Sequence, residues 1–177
     1  VLIIGKRAGN QIMANQTLFS SFPNEAFSIS AGMGDVYSGG AVAFQPQQAC
    51  CITGVTLLLA GYTGANGQKI ALQLFNNQLL GTVNQPGGQL GSFTVPAGND
   101  GSIAEFTCPL LPGVNLAAGG LYWLLAYGLF DAPPTTRIAA SWLAGGANPM
   151  VVQMAQFIIG NFQPSSVVPA FAVLVSV

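Results

Sequence analysis

The chain has 177 residues; 51% are hydrophobic and only 5% are charged, four Lys or Arg against five Asp or Glu, with no histidine. An ordinary soluble domain is about a quarter charged, so water contact here falls to Gly, Ser, Thr, Asn and Gln. This balance excludes ordinary disorder, offers no basic cluster to neutralise nucleic-acid phosphates, and leaves acid–base catalysis little to work with.

In chain order, the first feature is the apolar stretch Val1-Leu2-Ile3-Ile4, followed by Gly5-Lys6-Arg7. The charge lies on the wrong side for an export signal. Burying each of these side chains is worth roughly 1.5–3 kcal/mol. Val1, Leu2, Ile3 and Ile4 are therefore expected as assembly contacts, on a neighbouring subunit or on the edge of their own fold. Residues 1–26 read as an N-terminal arm and lead-in strand, and residues 27–177 as one β-sandwich domain.

Strands are then predicted over Ala41–Gln45, Ile52–Ala60 and Lys69–Phe75. In the last, Ile70, Leu72 and Leu74 alternate with Ala71, Gln73 and Phe75. Asn76-Asn77-Gln78 reads as a tight connection into Leu79–Val83. Further strands are Gly91–Val95, Ile103–Cys108, Leu121–Tyr127, Arg137–Leu143, Met150–Gly160 and Ala170–Val177. Within Leu121–Tyr127, Trp123 shares a face with Leu121, Leu125 and Tyr127 and is expected in the core, which leaves Tyr122 at a surface or interface. Asn148–Phe162 also has some helical spacing, but its alternation favours a strand. The Gly-rich stretches Ala31–Gly34, Ser38–Gly40, Pro86–Gly88 and Ala118–Gly120 form no phosphate-binding motif and read as turns. Short strands at about ten-residue spacing indicate an all-β, two-sheet antiparallel sandwich, jelly-roll-like.

Neither Val55–Gly61 nor Leu121–Phe130 approaches the ~20 apolar residues of a membrane-spanning helix, so no membrane insertion is expected. Cys50, Cys51 and Cys108 read as small buried apolar residues, or as one Cys50 or Cys51 bridge to Cys108 if their strands adjoin. A zinc site lacks the required ligand spacing.

Several stretches together carry a resemblance: Cys51 to Leu59, Lys69 to Phe75 with Leu79-Leu80-Gly81, Val114-Asn115-Leu116-Ala117-Ala118-Gly119-Gly120-Leu121-Tyr122-Trp123-Leu124, and Pro169 to Val173. They resemble the R-type branch of the choice-of-anchor family of extracellular β-sandwich domains, over about Phe27 to Val177. The resemblance implies a jelly-roll-like sandwich displayed outside cells, without established catalytic activity. The chain shows no sorting tail, which departs from cell-wall anchoring. Similar sandwiches serve as virion surface and decoration proteins.

No Ser-His-Asp or Cys-His arrangement exists without histidine. Glu25, Asp35, Asp100, Glu105 and Asp131 could form a carboxylate pair, but nothing in their spacing joins them. Asp100 with Asn99, or Asp131 with backbone carbonyls, could supply part of a calcium site, though no D-x-D-x-D pattern is present. No catalytic, cofactor or metal site is expected. Trp142, near Gly145-Gly146, reads as core or interface packing or as an exposed ring that stacks on a sugar; Tyr122 is the second candidate for glycan stacking. Asn15-Gln16-Thr17 fits a glycosylation acceptor.

The expected function is therefore a non-catalytic structural subunit of a virion surface or other extracellular repeating assembly. Its partners would be copies of itself and other subunits. Uncharged, small-residue faces can meet at interfaces without burying unpaired ions. A carbohydrate-binding or adhesion module, with glycans as ligands, is the second expectation. A monomeric sandwich is the third.

Overall fold

The structure, a computed structural model, describes residues 15–22, 29–33, 38–129, 140–146, 149–158, 161–165 and 167–176. It contains twelve strands among the described residues: β1 (Asn15–Ser20), β2 (Ile29–Met33), β3 (Ser38–Phe44), β4 (Cys50–Ala60), β5 (Lys69–Leu80), β6 (Val83–Phe93), β7 (Ala104–Leu116), β8 (Tyr122–Leu129), β9 (Ala140–Leu143), β10 (Val151–Ile158), β11 (Asn161–Ser165) and β12 (Phe171–Ser176). One three-residue 3-10 turn, Ala65–Gly67, precedes β5.

These strands form two antiparallel sheets in a sandwich-like arrangement. The first runs β1-β12-β4-β9-β2, with β7 also paired to β4. Val55 of β4 faces Val173 of β12 and Cys108 of β7, so those two strands flank β4 on opposite sides. The second sheet runs β11-β10-β3-β8-β5-β6. All the strand pairings are antiparallel. The segment Met150–Gly160, ambiguous in sequence, contributes strand β10.

Period-two alternation decides which side chains enter the core. From the first sheet come Ile52, Val55, Leu57, Leu59, Phe106, Cys108, Leu110, Trp142, Phe171, Val173 and Val175. From the second come Val42, Phe44, Ile70, Leu72, Leu74, Phe93, Leu124 and Ala126. The alternation read in Lys69–Phe75 and in the last strand thus places the expected residues inside. The strand Leu121–Tyr127 is inverted. Tyr122, Leu124 and Ala126 belong to the intersheet cluster. Trp123 is fully buried, but in a separate cluster on the outer face of the second sheet, with Ala41, Ala43, Leu125 and Ala155 and flanked by Phe75, Leu121 and Tyr127.

Several turn and boundary expectations also differ: Ala31–Met33 lies within β2 and Ser38–Gly40 opens β3. β5 runs unbroken through Asn76-Asn77-Gln78, and the turn falls at Gly81-Thr82. Pro86-Gly87-Gly88 lies within β6. β7 continues past Cys108 through Pro109, Pro112 and Gly113. Among the described residues β6 pairs only with β5 and β7 only with β4, and strands paired on one side are where proline is tolerated. The pairing register shifts on both: against β5 around Phe75, and against β4 between Ile52 and Gly54. The other outer strands carry similar irregularities: β1 shifts register between Thr17 and Phe19, β2 between Ile29 and Ala31, and β11 contains Pro164.

The first strand of the lead-in, β1, is part of the first sheet through its pairing with β12. Ser21 fixes its exit: the buried hydroxyl donates to the Pro169 carbonyl at 2.6 Å and accepts from the Phe171 N–H at 3.0 Å. Val1, Leu2, Ile3 and Ile4, expected as assembly contacts, lie outside the described residues.

Candidate functional site

The fold places two features at opposite ends of β5: a projecting hairpin at its C-terminal end and a cleft at its N-terminal end. From Ile70 to Asn99 no residue is charged. β8 pairs with β5 only as far as Asn76, opposite Tyr122. Beyond it, Asn77–Leu80 pair with β6 alone, through Val83–Pro86. Four residues at about 3.3 Å each give a two-stranded projection about 13 Å long. Its two-residue turn begins with Gly81 at φ 64°, the left-handed region where glycine is favoured.

The base of the projection is pinned by side chains. Trp123 Nε1 donates to Asn77 Oδ1 at 2.9 Å, and Asn77 Nδ2 donates to Asn84 Oδ1 at 2.8 Å. The neighbouring Asn76 Oδ1 accepts from the Gly88 N–H at 2.6 Å. A Cβ at position 87 would lie 2.5 Å from that oxygen and 3.1 Å from the Gln78 Cβ, so a side chain there would displace the Asn76 amide. The tip is different in character. Leu79 and Leu80 are each 67% exposed and Val83 is 56% exposed. A stalk pinned at its base thus presents an apolar, uncharged tip to water.

At the other end, the loop after β4 and the segment after β6 meet. The Gly61 N–H donates to the Gly101 carbonyl at 2.9 Å, and the Asn99 N–H to the Tyr62 carbonyl at 3.0 Å. Between them lies a cleft of about 370 Å³ lined by Tyr62, Thr63, Gln68, Lys69 and Val95–Gly98. Gly98 presses against the opposing loop: a Cβ there would lie 2.3 Å from the Thr63 carbonyl carbon. The Tyr62 ring is buried edge-on against Phe106, with centroids 5.4 Å apart. Burial, then the neighbouring Cys108, push its phenol pKa up. Thr63 Oγ1 donates to Gln68 Oε1 at 3.2 Å and accepts from the Ala65 N–H.

The sequence-predicted site residues fall elsewhere. Trp142 is fully buried; its Nε1 donates to the Ala170 carbonyl at 2.9 Å, and its ring meets Phe171 edge-on at 6.3 Å. No ring face is open to a sugar, so the exposed-ring expectation gives way to packing. Tyr122 is half-buried; its ring sits 6.1 Å from Phe44, and its hydroxyl accepts from the Ala117 N–H at 2.8 Å. Its ring and its hydroxyl are both engaged within the fold.

Asp100 is fully exposed and closes its own turn by accepting from the Ser102 N–H at 2.9 Å, and hydrogen bonding to Ser102 pulls its carboxyl pKa below the usual value. Glu105 lies on β7 opposite Leu58. Glu25, Asp35 and Asp131 lie outside the described residues. Among the described residues no group of three or more His, Cys, Asp or Glu could hold a metal ion, and no helix is long and apolar enough to cross a membrane.

The three cysteines are free thiols. Cys108 pairs with Val55, four and five residues along β4 from Cys51 and Cys50. At about 3.3 Å per residue that separation far exceeds the ~7 Å Cα limit for a disulfide. The bridge, the alternative reading of these cysteines, is therefore excluded by register; of the three thiols Cys108 is buried, while Cys50 and Cys51 are half-buried. Burial pushes the Cys108 thiol pKa up to about 12.

Compared with family models, curated proteins and solved structures, the chain matches none. What remains of the choice-of-anchor resemblance is the all-β, two-sheet antiparallel architecture.

Proposed function

We propose that this protein is a non-catalytic structural subunit of a repeating assembly, with the β5–β6 hairpin as a contact between copies. A virion surface or other extracellular coat is the setting suggested by the sequence. The observation that carries the reading is the projection, pinned at its base, with Leu79, Leu80 and Val83 left in water at its tip. Apolar groups concentrated on an exposed, pinned element mark a surface that gains by being covered. The absence of charge from Ile70 to Asn99 means that covering it strands no ion.

The strand order supports the same reading. One sheet contains the series β2-β9-β4-β7 and the other β3-β8-β5-β6. That alternation is what a chain wound as a jelly roll produces, an architecture used for viral shells and for lectins. On this reading β1, β10, β11 and β12 are additions to an eight-strand roll.

Full burial of a Leu or Val side chain is worth roughly 1.5–3 kcal/mol, so three side chains already over half exposed contribute roughly 3–5 kcal/mol per contact. Association itself costs about 4–15 kcal/mol. One hairpin contact alone is therefore weak, and association through it grows with concentration or where a second contact per subunit adds to it. Sedimentation velocity over a range of concentrations tests this. Wild-type mass is expected to grow with concentration, and a Leu79→Asp, Leu80→Asp double variant is expected to stay monomeric with unchanged melting. A wild-type chain that stays monomeric throughout would overturn the reading.

A further inference from the structure

The cleft at the N-terminal end of β5 lies at the opposite end of the strand from the hairpin tip and carries an inference of its own. Tyr62 is almost wholly buried, yet its hydroxyl has no hydrogen-bond partner within the protein among the described residues. No buried side-chain oxygen or nitrogen is left unsatisfied there. The two facts together require the Tyr62 oxygen to touch solvent, and Tyr62 is among the residues that line the cleft. Thr63 Oγ1 donates to Gln68 Oε1, which fixes the amide and leaves Gln68 Nε2 with both its donors.

The floor thus offers one hydroxyl that can donate or accept, and the wall offers one amide donor pair. Val95 and Pro96 supply apolar lining beside them. No carboxylate is among the lining residues, and Lys69 is the sole charged one. The two backbone bonds that join the Gly61–Tyr62 and Asn99–Gly101 segments hold both walls in place before any ligand arrives. At about 370 Å³ the cleft is at the small end of the range for ligand pockets.

We propose that this cleft binds a neutral, polyhydroxylated ligand, one or two sugar units of an uncharged glycan, with Tyr62 Oη and Gln68 Nε2 as the hydrogen-bonding groups. Uncharged hydroxyls are matched by uncharged donors and acceptors, and the apolar lining accommodates the C–H face of a sugar ring. This inference does not depend on the assembly reading.

The test is an amide NMR titration of the isotope-labelled protein with cellobiose, maltose and diacetylchitobiose in turn, and with digalacturonate as the acidic counterpart. Shifts confined to Thr63–Gln68 and Val95–Gly98 with at least one neutral disaccharide are expected. Removing one neutral hydrogen bond, at about 1 kcal/mol, weakens binding about five-fold, so Tyr62→Phe, which keeps the ring against Phe106, should show that loss. Gln68→Ala, at a partly exposed position, should show a similar one with unchanged melting. Absence of shifts with every neutral sugar, shifts located elsewhere, undiminished affinity in both variants, or binding of digalacturonate alone would each overturn the proposal.

Discussion

Trp142 separates a packing role from a ligand role most cleanly. Its ring is fully enclosed and its Nε1–H is spent on the Ala170 carbonyl. Replacement by Phe removes that hydrogen bond, at about 1 kcal/mol. The Ala170 oxygen is not orphaned, because it also accepts from the Leu58 N–H at 3.2 Å. The smaller ring leaves a void of ~40 Å³, which at ~24 cal/mol per Å³ adds about 1 kcal/mol. The sum, about 2 kcal/mol, corresponds to a fall in melting temperature of about 4–8 °C for a domain of this size. Trp142→Ala also loses the contact with Phe171 and should cost about 3–5 kcal/mol. Leu111→Ala is the control: at 84% exposure it should change stability by less than ~0.5 kcal/mol. Thermal melts by circular dichroism, with urea titration for the free energies, measure all three. A Trp142→Phe variant that melts within about 1 °C of wild type would refute the reasoning about this ring.

The Cys108 thiol makes stability fall at high pH. Its pKa is raised by burial to about 12 in the folded chain, against 9.0 for the free group. Below pH 9 both states hold the proton and the contribution is constant; above it only the unfolded chain ionises, so stability drops as pH rises toward 12. At about 1.4 kcal/mol per pH unit the loss approaches about 4 kcal/mol, and urea titrations should show that alkaline slope reduced in Cys108→Ala. Two glycines should respond differently to alanine. At Gly39 a Cβ would meet the Ala126 carbonyl oxygen at 2.2 Å, across the β3–β8 pair, so Gly39→Ala should cost roughly 1–3 kcal/mol and loosen amide protection in both strands. At Gly81 the space is open and only the positive φ resists, so Gly81→Ala should cost roughly 1–2 kcal/mol, with protection lost at the hairpin alone.

What the sequence disclosed and what it hid have physical causes. Alternation is informative where one face is apolar and the other is not, and so Ile70, Leu72 and Leu74 were legible as core. It fails in Tyr122–Tyr127, where both faces are apolar because the second sheet buries side chains on both sides. Asn76-Asn77 reads as a turn because asparagine commonly bonds to its own backbone. Here those amides are instead occupied across the strands, by Trp123, Asn84 and Gly88. Proline and glycine within β6 and β7 signal chain reversal in isolation, yet strands paired on one side tolerate them. β1, β2 and β11 owe their extended form to neighbouring strands rather than to their own composition. The hairpin had a readable signal, Gly81-Thr82 between apolar residues, which the flanking asparagines obscured. The cleft had none: Tyr62 and Val95–Gly98 are brought together by strands that the sequence does not order.

The irregular outer strands have a consequence for how the protein behaves in bulk. Most proteins of this size remain dispersed because like charges repel, and so they precipitate near their isoelectric point or in strong salt. With four basic and five acidic residues this chain has little such repulsion to lose. Its protection is geometric: the prolines and register shifts along β1, β2, β6, β7 and β11 deny a second copy a straight row of amides to add to. A barrier made of shape does not depend on ionic strength or on the distance from the isoelectric point. Edge-to-edge pairing should therefore stay suppressed in salt and acid that would flocculate a more conventional fold, and should instead follow heating, which undoes the edges themselves.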